Sequence, residues 1–330
     1  MERVALVGLG FIGKMHLEAY RHIPNAKVTA ICTRSGRNDE IASLFDGSFV
    51  SDYDDLLDRE DIDVVDICVP TFLHEEYITK AVKAGKHIIC EKPLTLTLEA
   101  TKRILQLVKK SGVRLFVGHV LRFWPEYQTF KAYSETDKLK HIEMIHAERL
   151  GQLPTWGEWF QHPEKSGGAL FDLHIHDIDF VYYLLGEVDR VYAVGSQNEY
   201  GAWKHIMTTL IFKNQARAFV EASQDMPVGY PFTMSFRAQE SNRALEFQLK
   251  AGENIEHVGD RQFVYYEGDQ MSEVDVVQAD AFQEELAYFI NCIEHDQVNH
   301  IIPLDDVLYI TKLLQVIKKS LETGREIQVP

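Results

Sequence analysis

Short, nearly continuous apolar runs alternate with longer amphipathic stretches through the first 120 residues. "RVALVG", "KVTAICT", "IDVVDICVP", "KHIIC" and "RLFVGH" read as strands. Between them "LGFIGKMHLEAYRHI", "HEEYITKAVKAG" and "TLEATKRILQLVKKSG" place apolar residues at helical spacing. The last two end in glycine, which suits a left-handed helix cap. Strands apolar on both faces and separated by helices predict an α/β domain with a parallel sheet covered on two sides. Beyond residue 120 the pattern changes. "HIEMIHAERL", "DRVYAVGS", "HIMTTLIFKN", "ARAFVEASQ", "PFTMSFRAQ", "ALEFQLKA" and "RQFVYYEG" are β-rich, and several alternate apolar with polar residues. Turn-like links such as Lys213-Asn214 and Gly252-Glu253 separate them, and two helical stretches close the chain. The change of period places a boundary near Gly118 to Pro125, giving domains 1–120 and 121–330. There is no low-complexity linker and no internal repeat.

A length of 330 residues fits two domains, and 45% hydrophobic residues give each a core. The formal charge of −16 argues against nucleic acid or an anionic membrane surface as a partner, since phosphate binding needs a basic patch. Cys32, Cys68, Cys90 and Cys292 are scattered, with no C-x-x-C pair, and three of them end apolar runs. Buried thiols and a reducing cytoplasm are the expectation. The first strand begins at the second residue, which leaves no room for a signal peptide, and no apolar run approaches a membrane span.

The first strand runs into Gly8-Leu9-Gly10-Phe11-Ile12-Gly13, a G-x-G-x-x-G that opens a helix. In that context the glycines permit a tight turn and close approach of a pyrophosphate, whose charge a helix N-terminus stabilises. Gly8, Gly10, Phe11, Ile12 and Gly13 are therefore cofactor-binding candidates. An NAD site usually carries Asp or Glu about 20 residues further on, at the tip of the second strand, for the ribose 2′-hydroxyl. Here the tip reads Cys32-Thr33-Arg34-Ser35. A carboxylate would repel a 2′-phosphate, whereas Thr33, Arg34 and Ser35 suit one, so NADP is favoured over NAD. The competing reading of Arg34 is a solvated loop cation.

Further motifs follow in order: "VPTFLH" (69–74), Glu91-Lys92-Pro93 at a strand end, "GHVLRFWPEY" (118–127), "SGGALFDLHIHDID" (166–179) and "SLETGREIQV" (320–329). Together they resemble the Gfo/Idh/MocA family of NAD(P)-dependent oxidoreductases, nearly end to end. The resemblance implies an N-terminal Rossmann domain and a C-terminal α+β domain with a large, mostly antiparallel open sheet. It also implies nicotinamide and cofactor contacts from Pro70, Thr71, His74, Glu91 and Lys92, and association through the open sheet as a homodimer or homotetramer. Phe72 and Thr71 stand where relatives often place Pro-Asn.

Lys92 follows a parallel strand, at the end where doubly wound sheets hold ligands, and the following proline keeps it extended. In the family this lysine faces the nicotinamide and the substrate hydroxyl, and Pro93 is cis in many relatives. Gly167-Gly168 reads as the start of a helix "ALFDLHIHDIDFVYYLLG" ended by Gly186. At 100° per residue Asp172, His176 and Asp179 fall within about 60° of one another, with His174 on the other side. Histidines at i and i+2 do not chelate one ion from a regular helix, so no metal site is expected. Asp172 and His176, one turn apart, form an acid–base pair, the imidazole titrating near neutrality. The resemblance makes them substrate-binding residues, with His176 the proton acceptor. With Lys92 they are the catalytic candidates.

His174 stands where relatives usually carry a small residue, either lining the pocket or packing. His119, Arg122 and Trp124 follow the last Rossmann strand, and Trp156, Trp159 and His162 lie on the loop before the helix. Trp with Arg suits a sugar or polyol, whose apolar ring face and hydroxyls these side chains complement, although aromatic loops often only pack. Asp177 reads as a helix-face charge and Asp179 as a packing group. The resulting expectation is hydride transfer between a nicotinamide and a secondary alcohol or ketone of a sugar, cyclitol or related polyol. The alternatives are a cofactor-binding regulator of the same fold, without turnover, and a metal-dependent hydrolase built on the His/Asp cluster.

Overall fold

A computed structural model describes the chain apart from residues 35, 37, 38, 43, 156 and 253–257, and apart from the side chains of 39, 40 and 258. It divides into two compact units, Met1–Phe123 with Ala279–Thr311, and Trp124–Gln278 with Lys312–Pro330. The first unit thus takes a segment from late in the chain, which two successive blocks at 1–120 and 121–330 do not describe.

In the first unit, strands β1 (Glu2–Val7), β2 (Ala26–Cys32), β3 (Ser48–Val50), β4 (Val64–Ile67), β5 (His87–Glu91) and β6 (Leu115–Gly118) form one sheet in the order β3-β2-β1-β4-β5-β6. Every pairing is parallel. The helices are α1 (Phe11–Tyr20), α2 (Asp39–Ala42), α3 (Tyr53–Leu57), α4 (His74–Lys83) and α5 (Leu98–Ser111). Local chemistry sets their ends. Thr97 caps α5 by accepting from the Ala100 N–H at 3.2 Å, and Gly112 ends it at φ +73°. This is the Rossmann order, with its switch point between β1 and β4, where ligands of such sheets bind. β3 is too short and too exposed for its pattern to be read from the sequence.

The second unit begins with α6 (Pro125–Ser134) and β7 (Met144–Leu150), followed by the short helices α7 (Pro163–Ser166) and α8 (Ala169–Asp172) and then α9 (His174–Leu185). Strands β8 (Val188–Gln197), β9 (Trp203–Phe212), β10 (Arg217–Ser223), β11 (Phe232–Glu240), β12 (Arg243–Ala251), β13 (Val258–Glu267) and β14 (Gln270–Glu273) follow, and β15 (Ile327–Gln328) closes the chain. They build a nine-stranded sheet in the order β14-β13-β12-β11-β7-β10-β9-β8-β15. All its pairings are antiparallel except β10 with β7. The Lys213-Asn214 link is a hairpin turn completed by Gln215 at φ +72°; Glu253 of the other quoted link lies outside the described residues. One face carries an aromatic core. Tyr127 of α6 meets Phe180 of α9 edge-on at 4.7 Å, and Phe130 meets Phe236 of β11 at 4.8 Å.

Two helices remain. α10 (Ala281–Glu294) belongs to the first unit, where Leu286, Phe289, Ile290 and Cys292 join the Rossmann core. α11 (Leu304–Thr323) is counted with the first unit to Thr311 and with the second from Lys312. Among the described residues no helix is long and apolar enough to cross a membrane.

Candidate active site

The glycine turn between β1 and α1 has two kinds of glycine. Gly8 sits at φ +96°, and a Cβ there would lie 2.5 Å from the Cys68 carbonyl oxygen. At Gly13 a Cβ would be 2.2 Å from the Gly8 oxygen. Both are therefore required by the turn itself. Gly10, the N-cap of α1, is exposed, and a Cβ would meet nothing within 4 Å. That open space above the helix N-terminus, with no acidic residue in the first turn, fits a dinucleotide pyrophosphate drawn close to backbone N–H groups. Phe11 and Ile12 are half-buried in the first turn. At the end of β2, Thr33 is half-buried, its N–H bonded to the Val50 carbonyl at 3.0 Å, and Arg34 is exposed. Ser35 lies outside the described residues.

Lys92, half-buried, immediately follows β5, and the Lys92–Pro93 peptide is cis. In the second unit the expected single helix is interrupted: Leu173, at φ −107° and ψ −50°, separates α8 from α9. Gly167 and Gly168 have φ +75° and +66°, and a Cβ on Gly168 would lie 2.7 Å from the Trp203 carbonyl oxygen of β9. This close approach sets α8 against the sheet. Asp172 ends α8 half-buried, its Oδ2 accepting from Gln224 Nε2 at 2.5 Å. His176, also half-buried, lies in the first turn of α9, its N–H bonded to the Leu173 carbonyl at 3.3 Å.

Residues 2–119 match the family described as oxidoreductase family, NAD-binding Rossmann fold, and residues 127–243 match the GFO/IDH/MocA C-terminal domain. The chain belongs to the Gfo/Idh/MocA family of oxidoreductases. It is 36% identical to the uncharacterized oxidoreductase YrbE of Bacillus subtilis over 68% of this chain and 68% of that protein. It is 31% identical to a myo-inositol 2-dehydrogenase of Thermotoga maritima over 69% of this chain and 70% of that one. Among solved structures, a levoglucosan dehydrogenase in complex with NADH and L-sorbose superposes with a TM-score of 0.82 at 25% identity, covering 100% of this chain and 99% of that one.

Within this Gfo/Idh/MocA chain several candidate side chains are engaged in holding the fold. Glu91 points inward, its Oε1 3.2 Å from Nε2 of the buried His16. The ring of His74 is buried between two carbonyls, Nδ1 at 3.0 Å from Pro93 and Nε2 at 2.9 Å from Val69. Burial lowers its pKa, and it ties the Val69-Pro70 turn to the turn that carries Lys92. Pro70 precedes a 3-10 turn over Thr71–Leu73, in which Thr71 is buried and Phe72 is exposed. The buried Arg122 donates through Nη1 to the Ile301 carbonyl at 2.6 Å and to Asp306 Oδ2 at 2.7 Å, so it braces the loop before α11 rather than facing a sugar. His119 is buried too, and Trp124 caps α6 in a half-buried position.

His174 is fully buried against β9, with Nε2 2.9 Å from Thr208 Oγ1. Burial pulls its pKa down to about 3, which keeps it neutral. It packs against the sheet. Asp177 is no solvated charge, since Arg149 of β7 grips it through Nε at 2.8 Å and Nη2 at 3.1 Å. Asp179 is buried. Trp159 stacks on Phe160 at 3.9 Å, and the His162 ring lies 4.8 Å from that of Tyr200; Trp156 lies outside the described residues.

The sequence reading passed over His16, Asp66 and Glu285, all buried in the first unit. A signal for them was present. A carboxylate inside "VVDIC", a strand covered on both faces, requires a buried partner, and α1 supplies His16.

Proposed function

We propose that this chain is an NAD(P)-dependent dehydrogenase that moves a hydride between the nicotinamide and a secondary alcohol or ketone of a sugar, cyclitol or related polyol. The observation that carries the reading is the relationship, over 69% of the chain, to a myo-inositol 2-dehydrogenase. The open space at Gly10 supports the cofactor, and the Thr33-Arg34 tip without a carboxylate supports NADP over NAD. The bound nicotinamide supplies the hydride acceptor, or donor, at C4. The protein's part is orientation and charge. His176 takes the proton of the substrate hydroxyl as the C–H hydride leaves, and returns it in the reverse direction. Asp172, fixed by Gln224, orients substrate and imidazole. Lys92 stabilises the oxygen as it becomes an alkoxide.

The same reading makes the protein cytoplasmic, in keeping with its four free cysteines. It also makes it a homodimer or homotetramer joined at the open face of the nine-stranded sheet. There Tyr192, Val194, Met207 and Phe219 are exposed in adjacent strands, Val194 opposite Met207 and both Tyr192 and Phe219 opposite Thr209. The test is absorbance at 340 nm with a panel of polyols, sugars and sugar acids, each offered NAD and NADP. With a substrate in hand, Lys92→Ala and His176→Ala are each expected to lower kcat at least ~1000-fold while leaving cofactor binding intact. Full activity in either variant overturns its assigned role.

A further inference from the structure

Behind Lys92 the first unit buries a set of titratable groups that the proposed reaction does not use. His16 reaches inward from α1 to two strands. Its Nδ1 is hydrogen-bonded to Asp66 Oδ2 on β4 at 2.8 Å, and its Nε2 makes an ion-pair contact with Glu91 Oε1 on β5 at 3.2 Å, outside hydrogen-bond geometry. Glu285 enters from α10, its carboxyl oxygens buried beside the His119 backbone N–H. A Cβ on Gly118 of β6 would stand 2.9 Å from Glu91 Oε1 and 3.4 Å from Glu285 Oε2, so the two acids converge on one point. None of the four exposes more than 8% of its surface. The Phe282 ring covers the site 5.6 Å from the imidazole.

Three acids around a neutral imidazole would bury three uncompensated charges, which an apolar site does not tolerate. Imidazolium at His16 and a proton on Glu285 lower that cost. The electrostatics agree. Burial opposes the charge on His16, but Asp66 and Cys68 together outweigh it and the pKa stands well above the usual imidazole value. Burial, reinforced by Glu91, pushes Glu285 well above the usual carboxyl range. Burial alone would raise Glu91, yet His16 and Lys92 bring it below. Tyr20 from α1, Cys68 after β4 and Cys90 of β5 also face the site, all raised chiefly by burial, and His74 and His119 border it beside Glu91 and Glu285.

His16, Asp66 and Cys68 are compact enough to hold a metal ion. Their contacts are to one another: His16 Nδ1 meets Asp66 Oδ2 at 2.8 Å, and the Cys68 thiol donates to Asp66 Oδ1 at 3.6 Å.

We propose that His16 is a positioning residue for Lys92: by bridging Asp66 and Glu91 it locks the tip of β5, from which Lys92 projects, to the helix that starts at the glycine turn. His74 holds the other side of the lysine through the Pro93 carbonyl, so Lys92 stands between two histidine clamps. The inference rests on the reading that Lys92 touches the reacting groups.

The test compares wild type, His16→Gln and the near-isosteric Glu91→Gln, the latter serving if His16→Gln fails to fold. Labelling of lysines by trinitrobenzenesulfonate, quantified by mass spectrometry, needs no substrate. Lys92 should change its rate at least ~3-fold in either variant, while Lys80 and Lys86 do not. Nitrogen NMR of labelled histidine should show His16 as imidazolium at pH 7.5, and Glu91→Gln should move that signal. With a substrate, kcat should fall ~10-fold or more, cofactor Kd should stay within ~3-fold, and the double variant should lose no more than the worse single one. An unchanged Lys92 labelling rate in folded variants, a neutral His16, or a stoichiometric metal ion overturns the inference. Loss of activity in Lys92→Ala with full activity in His16→Gln sinks this inference alone. An active Lys92→Ala sinks the reading beneath it.

Discussion

In the first unit His16, Asp66, Glu91 and Glu285 share one buried site, three acids to one base. In the second, Arg149 meets Asp177 one to one through two hydrogen bonds, and Tyr127 accepts a third from Arg149 at 3.3 Å. Burial works against the Arg149 charge, but Asp177 more than restores it. His174 sits nearby in the sequence but is neutral against Thr208. The first arrangement is unbalanced and reaches its charge by sharing protons. The second is balanced by residue choice. An unbalanced site responds to a lost partner by taking up or releasing a proton, whereas a balanced one is left with a bare charge.

The sharpest way to break this contrast is truncation of one partner on each side. Arg149→Ala strands Asp177, and unfolding in guanidinium should show a loss of about 3–5 kcal/mol. His16→Gln should cost less than half of that, because Glu91, which His16 holds below the usual carboxyl range, is then free to bind a proton. Equal losses would end the distinction.

The second test is pH. His174, depressed to about 3 in the folded state, contributes stability that is present above its unfolded pKa of about 6.5 and is lost as pH falls toward the folded value. The loss runs at up to about 1.4 kcal/mol per pH unit. His16 and Glu285 have the opposite sign. Both are raised on folding, so their contribution is complete below the unfolded values, about 6.5 and 4.5, and fades as pH climbs through the folded ones. Both units should weaken in acid, through His174 in the second and through His74 and Glu91 in the first, whereas the loss in alkali from His16 and Glu285 should be confined to the first, as read by hydrogen exchange. His174→Leu should flatten the acid slope of the second unit and leave the alkaline slope of the first untouched.

The smallest expected effect is Glu285→Gln. The amide mimics the protonated acid, so stability should match wild type near pH 4.5 and exceed it by about 1 kcal/mol or more at pH 8, read from unfolding curves. A variant no more stable at pH 8 than wild type would mean that Glu285 is ionised and differently partnered.

The apolar runs of the first 120 residues and the alternation beyond them made both sheets legible, because period and strand length are local properties. The glycine turn and Lys92 were legible for the same reason, since each belongs to one strand end. What stayed hidden depends on where a helix returns. Nothing in "DAFQEELAYFINCIEHD" says that it packs into the Rossmann core and carries Glu285 to His16. A regular helical wheel put Asp172, His176 and Asp179 on one face, and the break at Leu173 is invisible to such a wheel. The family resemblance points His74 at the cofactor, and a place after the last Rossmann strand points Arg122 at a sugar. Their partners, Asp306 and the carbonyls of Val69 and Pro93, follow only from the packed structure.

Gly118 is not among the glycines held at positive φ, so its backbone would admit any residue. Its side chain is missing because two acids occupy the place where one would go. Drift at 91, 118 and 285 is therefore coupled. A side chain at 118 would first have to displace the Glu91 carboxylate, at 2.9 Å, and only then press on Glu285, at 3.4 Å. A glycine that looks like a turn signal in the sequence is, in the folded protein, the space into which two buried acids turn their carboxyl groups.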